Sequence, residues 1–323
     1  MKILICDKLD SFAIQELNKM GTCKDISSEE NKREMLLEQI PDTDLVFIRS
    51  ATSIDKEVID AGVNLKIIAR CGVGLDNVDI IEATKRGIHV TNSPEANIIS
   101  VAELTVGLII ASARNLIKGN NTLKQKKWDR SALTGIELYE KTLGFVGFGR
   151  VARLVASRMH SFGMKIVFFD PYIDESTQNE TKLELDELLQ QSDVVSLHVV
   201  KNKETINLIS KEKLSLMKQD SIFINTSRGG VVDESEVLRL VDNGKLFSAA
   251  LDVYEQEPPE YTTQLTESDS ITLPHLGAST REAQLKAGSD TVQNVASILN
   301  GDFSPSVNAC LLYTSPSPRD SDS

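Results

Sequence analysis

The stretch KTLGFVGFGRVARLVASRM, Lys141 to Met159, contains the pattern that decides the fold. Its first half is a short apolar run, which predicts a buried strand, and its second half has apolar residues at helical spacing. Between the halves, Gly147, Gly149 and Ala152 form a G-x-G-x-x-A turn. The first glycine permits the bend, the second lets the backbone approach a pyrophosphate, and the small third residue lets helix pack on strand. The stretch therefore predicts a dinucleotide-binding turn.

An acidic residue after the next apolar run indicates which dinucleotide is bound. The run Ile166 to Phe169 ends in Asp170, about 20 residues after Gly149, the spacing that dinucleotide-binding folds use. A carboxylate there accepts hydrogen bonds from the adenosine ribose and repels a 2′-phosphate. The sequence therefore predicts NAD rather than NADP. An ordinary glycine turn is the alternative for the glycines alone, but the strand–turn–helix–strand context disfavours it.

The composition is typical of a globular protein with two domains of ordinary size. The chain has 323 residues, of which 41% are hydrophobic and 25% charged. Its net charge of −12 gives no reason to expect nucleic acid as a partner. No apolar stretch is long enough for a bilayer span or a signal peptide, so we expect a cytoplasmic protein without a membrane partner. Neither a metal site nor a disulfide is predicted from the widely scattered cysteines, Cys6, Cys23, Cys71 and Cys310.

Apolar runs alternate with helical patterns along the chain, which predicts an α/β protein. We expect two doubly wound, Rossmann-like domains with parallel sheets. The first is predicted to be discontinuous, with residues 1–97 and 281–310, because a helix after Ser279 is long enough to return to it. Residues 98–280 would form the NAD-binding domain. Within 302–310 one more strand could form, and the serine- and proline-rich residues 311–323 are predicted to be disordered.

Three loops at the carboxyl ends of predicted strands contain side chains suited to chemistry. Ligands of open α/β sheets bind at this edge. Arg228 offers a guanidinium for a carboxylate, Glu257 an acidic group, and His275 an imidazole that exchanges protons near neutrality. Each also has a plainer interpretation, as a surface arginine, a solvated carboxylate and a helix-capping histidine. The loops are Asn225–Gly230, Asp252–Pro259 and Pro274–Thr280.

These loops resemble those of the D-isomer-specific 2-hydroxyacid dehydrogenases. The resemblance rests on SRGGVVDE, LDVYEQEP, PHLGAST, GFGRVA and ARCGVGLDNVD, and it covers residues 1 to about 307 in the right order. Within the family it is greatest to the enzymes that act on D-3-phosphoglycerate. Family members use an Arg–Glu–His triad, which corresponds to Arg228, Glu257 and His275. The resemblance implies hydride transfer from a substrate carbon to nicotinamide, with the histidine as acid and base, the glutamate orienting it and the arginine binding the substrate carboxylate.

The same resemblance implies further contacts. Besides the glycines and Asp170, the implied cofactor contacts are Arg150, Val151, Thr226, Ser227, Asp252 and Gly277. The first domain would bind the substrate, and the implied contacts there are Arg49, Arg70, Cys71, Gly72, Val73 and Gly74. Arg49 and Arg70 are candidates for a phosphate, although salt bridging at the domain surface is the alternative. The family commonly forms homodimers, so Arg130 would reach a partner subunit's site.

Two other functions compete with oxidation of a phosphorylated substrate. A glyoxylate or hydroxypyruvate reductase of the same family needs no phosphate site, so Arg49 and Arg70 distinguish it. A nicotinamide-sensing corepressor shares the fold and recognises peptides in a cleft of the first domain. The segments CGVGLDNVD and PHLGAST favour the metabolic enzyme.

Overall fold

The computed structural model describes residues 1–174 and 179–314 and divides the chain into two compact units. Unit 1 comprises Met1–Asn97 together with the chain from Thr280 onward, and unit 2 comprises Ile98–Ser279. Each unit contains one parallel sheet with helices between its strands. The predicted fold class, two α/β domains with doubly wound parallel sheets, is therefore confirmed.

The elements are numbered along the whole chain. The strands are β1 Lys2–Ile5, β2 Thr22–Asp25, β3 Leu45–Ile48, β4 Ile67–Arg70, β5 His89–Asn92, β6 Thr142–Val146, β7 Lys165–Phe169, β8 Thr181–Lys182, β9 Val194–Leu197, β10 Ser221–Asn225, β11 Leu246–Leu251 and β12 Ile271–Thr272. The helices are α1 Ser11–Met20, α2 Lys32–Gln39, α3 Lys56–Ala61, α4 Ile80–Lys85, α5 Ile98–Ala113, α6 Leu116–Lys124, α7 Arg150–His160, α8 Leu185–Gln191, α9 Lys211–Ser215, α10 Glu234–Asp242, α11 Thr263–Glu267, α12 Arg281–Leu299 and α13 Ala309–Thr314. Short 3₁₀ turns cover Ile40–Asp42 and Ser131–Leu133.

The sheet of unit 1 has the strand order β2-β1-β3-β4-β5, with every pairing parallel. Its inner strands are almost continuously apolar because helices cover both faces of the sheet. On one face, Val292, Val295 and Ile298 of α12 share a core cluster with Leu45 and Phe47 of β3. The long helix near the carboxyl end therefore returns to the first unit, so this unit is built from two separate parts of the chain.

The sheet of unit 2 has the order β12-β11-β10-β9-β6-β7-β8, again entirely parallel. Numbered within the unit, the first six strands follow the 3-2-1-4-5-6 order of dinucleotide-binding folds, with β12 added at the end. Because all strands run in one direction, their carboxyl ends share one edge of the sheet. That edge receives the glycine turn after β6 and the predicted loops after β10, β11 and β12.

Three local predictions were wrong. The apolar run Ile98 to Ile117 predicts one helix, but α5 ends at Ala113, and α6 begins after Asn115, which has a φ of +49°. Residues 302–310 add no strand; Ser306 forms only an isolated bridge with Thr91, and α13 follows. Residues 311–314 are helical rather than disordered, and 315–323 lie outside the described residues.

In the described part of the chain no single helix is long and apolar enough to cross a membrane. The pair α5 and α6, which is bent by 63°, reaches the required length and composition only when the two helices are taken together.

Candidate active site

The glycine turn joins β6 to α7. Gly147 has a φ of +86°, and a Cβ at this position would lie 2.6 Å from the carbonyl oxygen of His198, so only glycine fits. A Cβ at Gly149 would meet no atom within 4 Å, so open space lies over this part of the backbone. Ala152 is completely buried where α7 packs on the sheet. The turn thus leaves room for a phosphate at its second glycine and none at its first.

Asp170 supports the glycine turn from the end of β7. Its Oδ2 accepts a hydrogen bond of 2.8 Å from the N–H of Phe148, and its Oδ1 accepts one of 2.9 Å from the N–H of Tyr172. Arg150 and Val151 are the first residues of α7, whose N-terminal N–H groups have no acceptor within the helix. The turn therefore combines a helix N-terminus, which attracts phosphate, with the acidic group that the sequence predicts to hold a ribose.

Asn225 fixes the loop after β10. Its side-chain oxygen accepts hydrogen bonds from the N–H and the hydroxyl of Ser227, at 3.0 and 2.9 Å, and its amide donates to the carbonyl of Arg228 at 3.0 Å. Thr226 is buried, and its hydroxyl lies 2.8 Å from the hydroxyl of Thr105. Thr105 donates its own proton to a carbonyl of its helix, α5, so Thr226 is the donor of the bond between the two hydroxyls. The backbone that carries Arg228 is therefore held from two sides.

The loops after β10 and β11 approach each other at Gly229. A Cβ there would lie 1.8 Å from the carbonyl carbon of Tyr254, so any larger residue would push the two loops apart. The Tyr254 side chain is buried and donates to the carbonyl of Leu251 at 3.3 Å, and burial raises the pKa of Tyr254 to about 12. This close approach places Arg228 beside the loop that carries Glu257.

Asp252 holds the loop that carries His275. The carboxylate is 1% exposed and accepts hydrogen bonds from the N–H groups of Leu276 and Gly277, at 2.6 and 2.8 Å. Burial raises the pKa of Asp252, although these two hydrogen bonds oppose the rise. His275 has a φ of +52°, a conformation that residues other than glycine rarely adopt. The two hydrogen bonds that Asp252 accepts from the next two residues compensate for the free energy of this strained backbone. The predicted contact between Asp252 and the nicotinamide carboxamide stays a prediction.

His275 and Glu257 are in direct contact. Nδ1 of the imidazole lies 2.6 Å from Oε2 of the carboxylate, whose Oε1 accepts from the N–H of Tyr254 at 3.1 Å. Burial acts to raise the pKa of Glu257, but His275, the Tyr254 N–H and the nearby charge of Arg228 together hold it below its usual value. The carboxylate therefore stays ionised and fixes the imidazole through Nδ1. Nε2 is then the nitrogen that can exchange a proton with a ligand.

In unit 1, the predicted substrate residues lie at the carboxyl ends of β3 and β4. The N–H of Arg49 donates to Oδ2 of the buried Asp7 at 2.6 Å, and its Nη1 donates to the carbonyl of Lys8 at 3.4 Å. Arg70 ends β4 and folds over Gly72, where a Cβ would lie 2.1 Å from Nη1 of the arginine. Both guanidinium groups therefore belong to the edge of the sheet where ligands of such folds bind.

The turn Cys71 to Gly74 is tied to the end of β5. The carbonyl of Gly72 accepts a backbone N–H from the residue after β5, at 2.9 Å, and the carbonyl of Val73 accepts from the side chain of Asn92 at 2.5 Å. Gly72 has a φ of +148°, in the range that favours glycine. Burial raises the pKa of Cys71 to about 12, so its thiol is neutral. The thiol therefore offers no negative charge at the turn.

Arg130 lies on an exposed segment between α6 and β6. Trp128 nearby is 80% exposed, and every residue of α6 is at least partly exposed. Three side chains of α6, Leu116, Ile117 and Leu123, are apolar and exposed. Exposed apolar side chains of this kind suit the predicted subunit contact, which stays a prediction.

Three residues that shape the site were not predicted as such: Thr105, Asn225 and Glu234. A hydroxyl inside the strongly apolar α5, and an amide ending the apolar strand β10, were local signals that could have identified the first two. Glu234 ends the segment SRGGVVDE, but nothing in that segment indicates its hydrogen bond with the N–H of Glu255, which is distant in sequence. Its contacts follow only from the fold.

A family model describes much of unit 2. Residues 106–277, more than half of the chain, match the NAD binding domain of the D-isomer specific 2-hydroxyacid dehydrogenases. The chain belongs to this family. The matched segment includes the glycine turn and the three residues Arg228, Glu257 and His275.

Members of this family with different activities are similar to the chain. It is 42% identical over 311 residues to D-3-phosphoglycerate dehydrogenase of Methanocaldococcus jannaschii, a match that covers 95% of this chain and 59% of that protein. It is 41% identical over 297 residues to hydroxypyruvate reductase of Thermotoga maritima, covering 91% and 97%. The crystal structure of the TT0316 protein from Thermus thermophilus matches with a TM-score of 0.89 and 32% identity, covering 95% and 100%. The chain thus spans about three fifths of the first relative and almost all of the second.

NAD is the cofactor of this dehydrogenase fold, as the sequence predicted. The residues present fit it, because the backbone at Gly149 is open and faces a helix N-terminus. Asp170 would hold the adenosine ribose and would repel the 2′-phosphate of NADP. When bound, NAD accepts or donates a hydride at its nicotinamide ring.

Proposed function

We propose that this chain oxidises D-3-phosphoglycerate to 3-phosphohydroxypyruvate with NAD, the first step of serine biosynthesis. The observation that carries the proposal is the 2.6 Å contact between His275 and Glu257, beside Arg228 and on the same sheet edge as the glycine turn. A proton carrier, its orienting acid and a carboxylate-binding cation are the groups that oxidation of a 2-hydroxy acid requires. The 42% identity to a D-3-phosphoglycerate dehydrogenase supports the phosphorylated substrate.

Each side chain of the triad has a separate task. His275 takes the substrate hydroxyl proton at Nε2 as the hydride leaves, and returns it in the reverse direction. Glu257 fixes the imidazole through Nδ1 and stabilises it once protonated. Arg228 binds the substrate carboxylate through two parallel hydrogen bonds, and this cation also stabilises charge on the reacting oxygen.

The remaining residues complete the binding sites in this proposal. Arg49 and Arg70 bind the phosphate, and the turn Cys71 to Gly74 offers backbone N–H groups to the substrate. Cofactor contacts are completed by Val151, Thr226, Ser227, Asp252 and Gly277. A homodimer in the cytoplasm, with Arg130 reaching the partner subunit's site, also stays a prediction.

Hydroxypyruvate reductase is the second candidate, and one observation favours it. The chain is 41% identical to the Thermotoga maritima enzyme, nearly the same as its 42% identity to the Methanocaldococcus jannaschii dehydrogenase. A reductase of this kind, or one for glyoxylate, would use the same triad without a phosphate site. A nicotinamide-sensing corepressor, the third possibility, is not expected to turn over either substrate rapidly. Comparing kcat/KM for 3-phosphoglycerate, hydroxypyruvate and glyoxylate therefore separates the candidates.

Replacing Arg49 or Arg70 with alanine distinguishes the first two candidates. We expect the KM for 3-phosphoglycerate to rise by roughly 10- to 100-fold, because a charge-assisted hydrogen bond to phosphate is lost, while kinetics with hydroxypyruvate change little. Arg33→Ala is the control, since that arginine pairs with Asp55 and Glu57 on the surface of the same unit. Equal effects of Arg49→Ala and Arg70→Ala on both substrates, or no effect on either, would favour the reductase.

A further inference from the structure

Glu234, the first residue of α10, connects the two loops that carry Arg228 and Glu257. Its Oε1 accepts a hydrogen bond of 2.9 Å from the N–H of Gly230, and its Oε2 accepts one of 3.0 Å from the N–H of Glu255. Gly230 lies two residues after the arginine, and Glu255 lies two residues before the triad glutamate. One carboxylate therefore holds both loops next to their functional side chains.

We propose that Glu234 is a positioning residue that sets the spacing between Arg228 and the His275–Glu257 pair. This inference rests on the proposed function of those three residues. The loops already touch at Gly229, where the lack of a side chain permits the approach but supplies no attraction. The two hydrogen bonds that Glu234 accepts add an attraction between the loops, next to their contact at Gly229.

Several features suit the carboxylate to this task. Asp233 caps α10 and accepts from the N–H of Glu236 at 3.0 Å, so the backbone of Glu234 is fixed. Burial raises the pKa of Glu234, as does the neighbouring charge of Glu255, whereas the two backbone N–H groups and Lys201 lower it. In an ionised glutamate both side-chain oxygens accept hydrogen bonds freely, whereas a glutamine side chain of the same shape has only one acceptor oxygen.

The test is Glu234→Gln, which keeps the shape but turns one acceptor into a donor. We expect kcat for the best 2-hydroxy acid substrate to fall roughly 10- to 100-fold, the scale of a small misplacement of catalytic groups. NADH affinity should stay within about twofold, because the glycine turn is held by other residues. The control is Glu236→Gln, which removes a carboxylate from the same helix whose partner is the exposed Arg239. It should leave all kinetic constants unchanged.

Hydrogen exchange supplies a readout that does not depend on activity. In Glu234→Gln, the peptides that contain Gly230 and Glu255 should exchange faster, while the interior of α10, residues 237–241, keeps its protection. Unchanged exchange at these two amides, or a uniform increase across unit 2, would overturn the proposal, as would wild-type kcat. If the wild-type protein oxidises no 2-hydroxy acid, the proposed function fails, and hydrogen exchange still decides whether Glu234 joins the loops.

Discussion

Replacing His275 with alanine should lower kcat by roughly 10²- to 10⁴-fold, the usual contribution of a general acid–base residue. NADH affinity should hardly change, because the glycine turn and Asp170 do not contact the imidazole. Glu257 lies 2.6 Å from Nδ1 and orients the ring, while the ring itself carries the proton. Removing the ring therefore removes the proton carrier and leaves only the group that oriented it. Steady-state kinetics in both directions, with NADH binding measured by fluorescence, give the two quantities.

Rescue by free imidazole tests whether the lost function is proton transfer. Imidazole added to the His275→Ala enzyme should restore part of kcat, because the space left by the side chain stays open beside Glu257. A variant with near-wild-type kcat would remove His275 from this role. So would a variant that loses NADH affinity in parallel with kcat, since the ring would then be a binding group.

Arg228→Lys should lower kcat/KM by roughly 10²-fold or more even though the positive charge is kept. A lysine ammonium cannot form the two parallel hydrogen bonds that a guanidinium makes with a carboxylate. Its shorter reach also weakens the charge that helps to lower the pKa of Glu257. The effect should appear in both KM for the substrate and kcat, with NADH affinity preserved.

The chain offers a matched control for the arginine substitution. Arg239 makes two hydrogen bonds with Glu236, at 2.7 and 2.6 Å, but its own side chain is exposed on α10. Arg239→Lys should leave kcat/KM within about twofold of wild type, as for most surface substitutions. If both substitutions had the same small effect, Arg228 would not be a carboxylate-binding group.

The features that the sequence predicted well depend on local patterns. Gly147 and Gly149 are conspicuous because a strand precedes them and a helix follows, and a parallel sheet follows from strands that alternate with helices. The same logic brings Arg228, Glu257 and His275 to one edge, because the carboxyl ends of parallel strands share it. Family resemblance then assigned roles that spacing alone left open.

The features that were missed depend on contacts between distant parts of the chain. The edge strand β2 has the polar sequence TCKD, so no apolar alternation marks it. The helix break at Asn115 interrupts an apolar run that reads as continuous. Glu234 appears in the sequence analysis only as the last residue of SRGGVVDE, and the hydrogen bond that it accepts from the N–H of Glu255 exists because β10 and β11 are neighbours.

Isotope transfer tests the central claim most directly, which is that the His275–Glu257 pair and Arg228 move a hydride between a 2-hydroxy acid and NAD. Wild-type enzyme is incubated with NAD and 3-phosphoglycerate deuterated at the carbon that carries the hydroxyl, and the NADH is analysed by mass spectrometry. The account predicts NADH that carries the substrate deuterium, at a rate that His275→Ala reduces by orders of magnitude. NADH without deuterium, or no NADH from 3-phosphoglycerate or from glycerate, the hydroxy acid that corresponds to hydroxypyruvate, would contradict it.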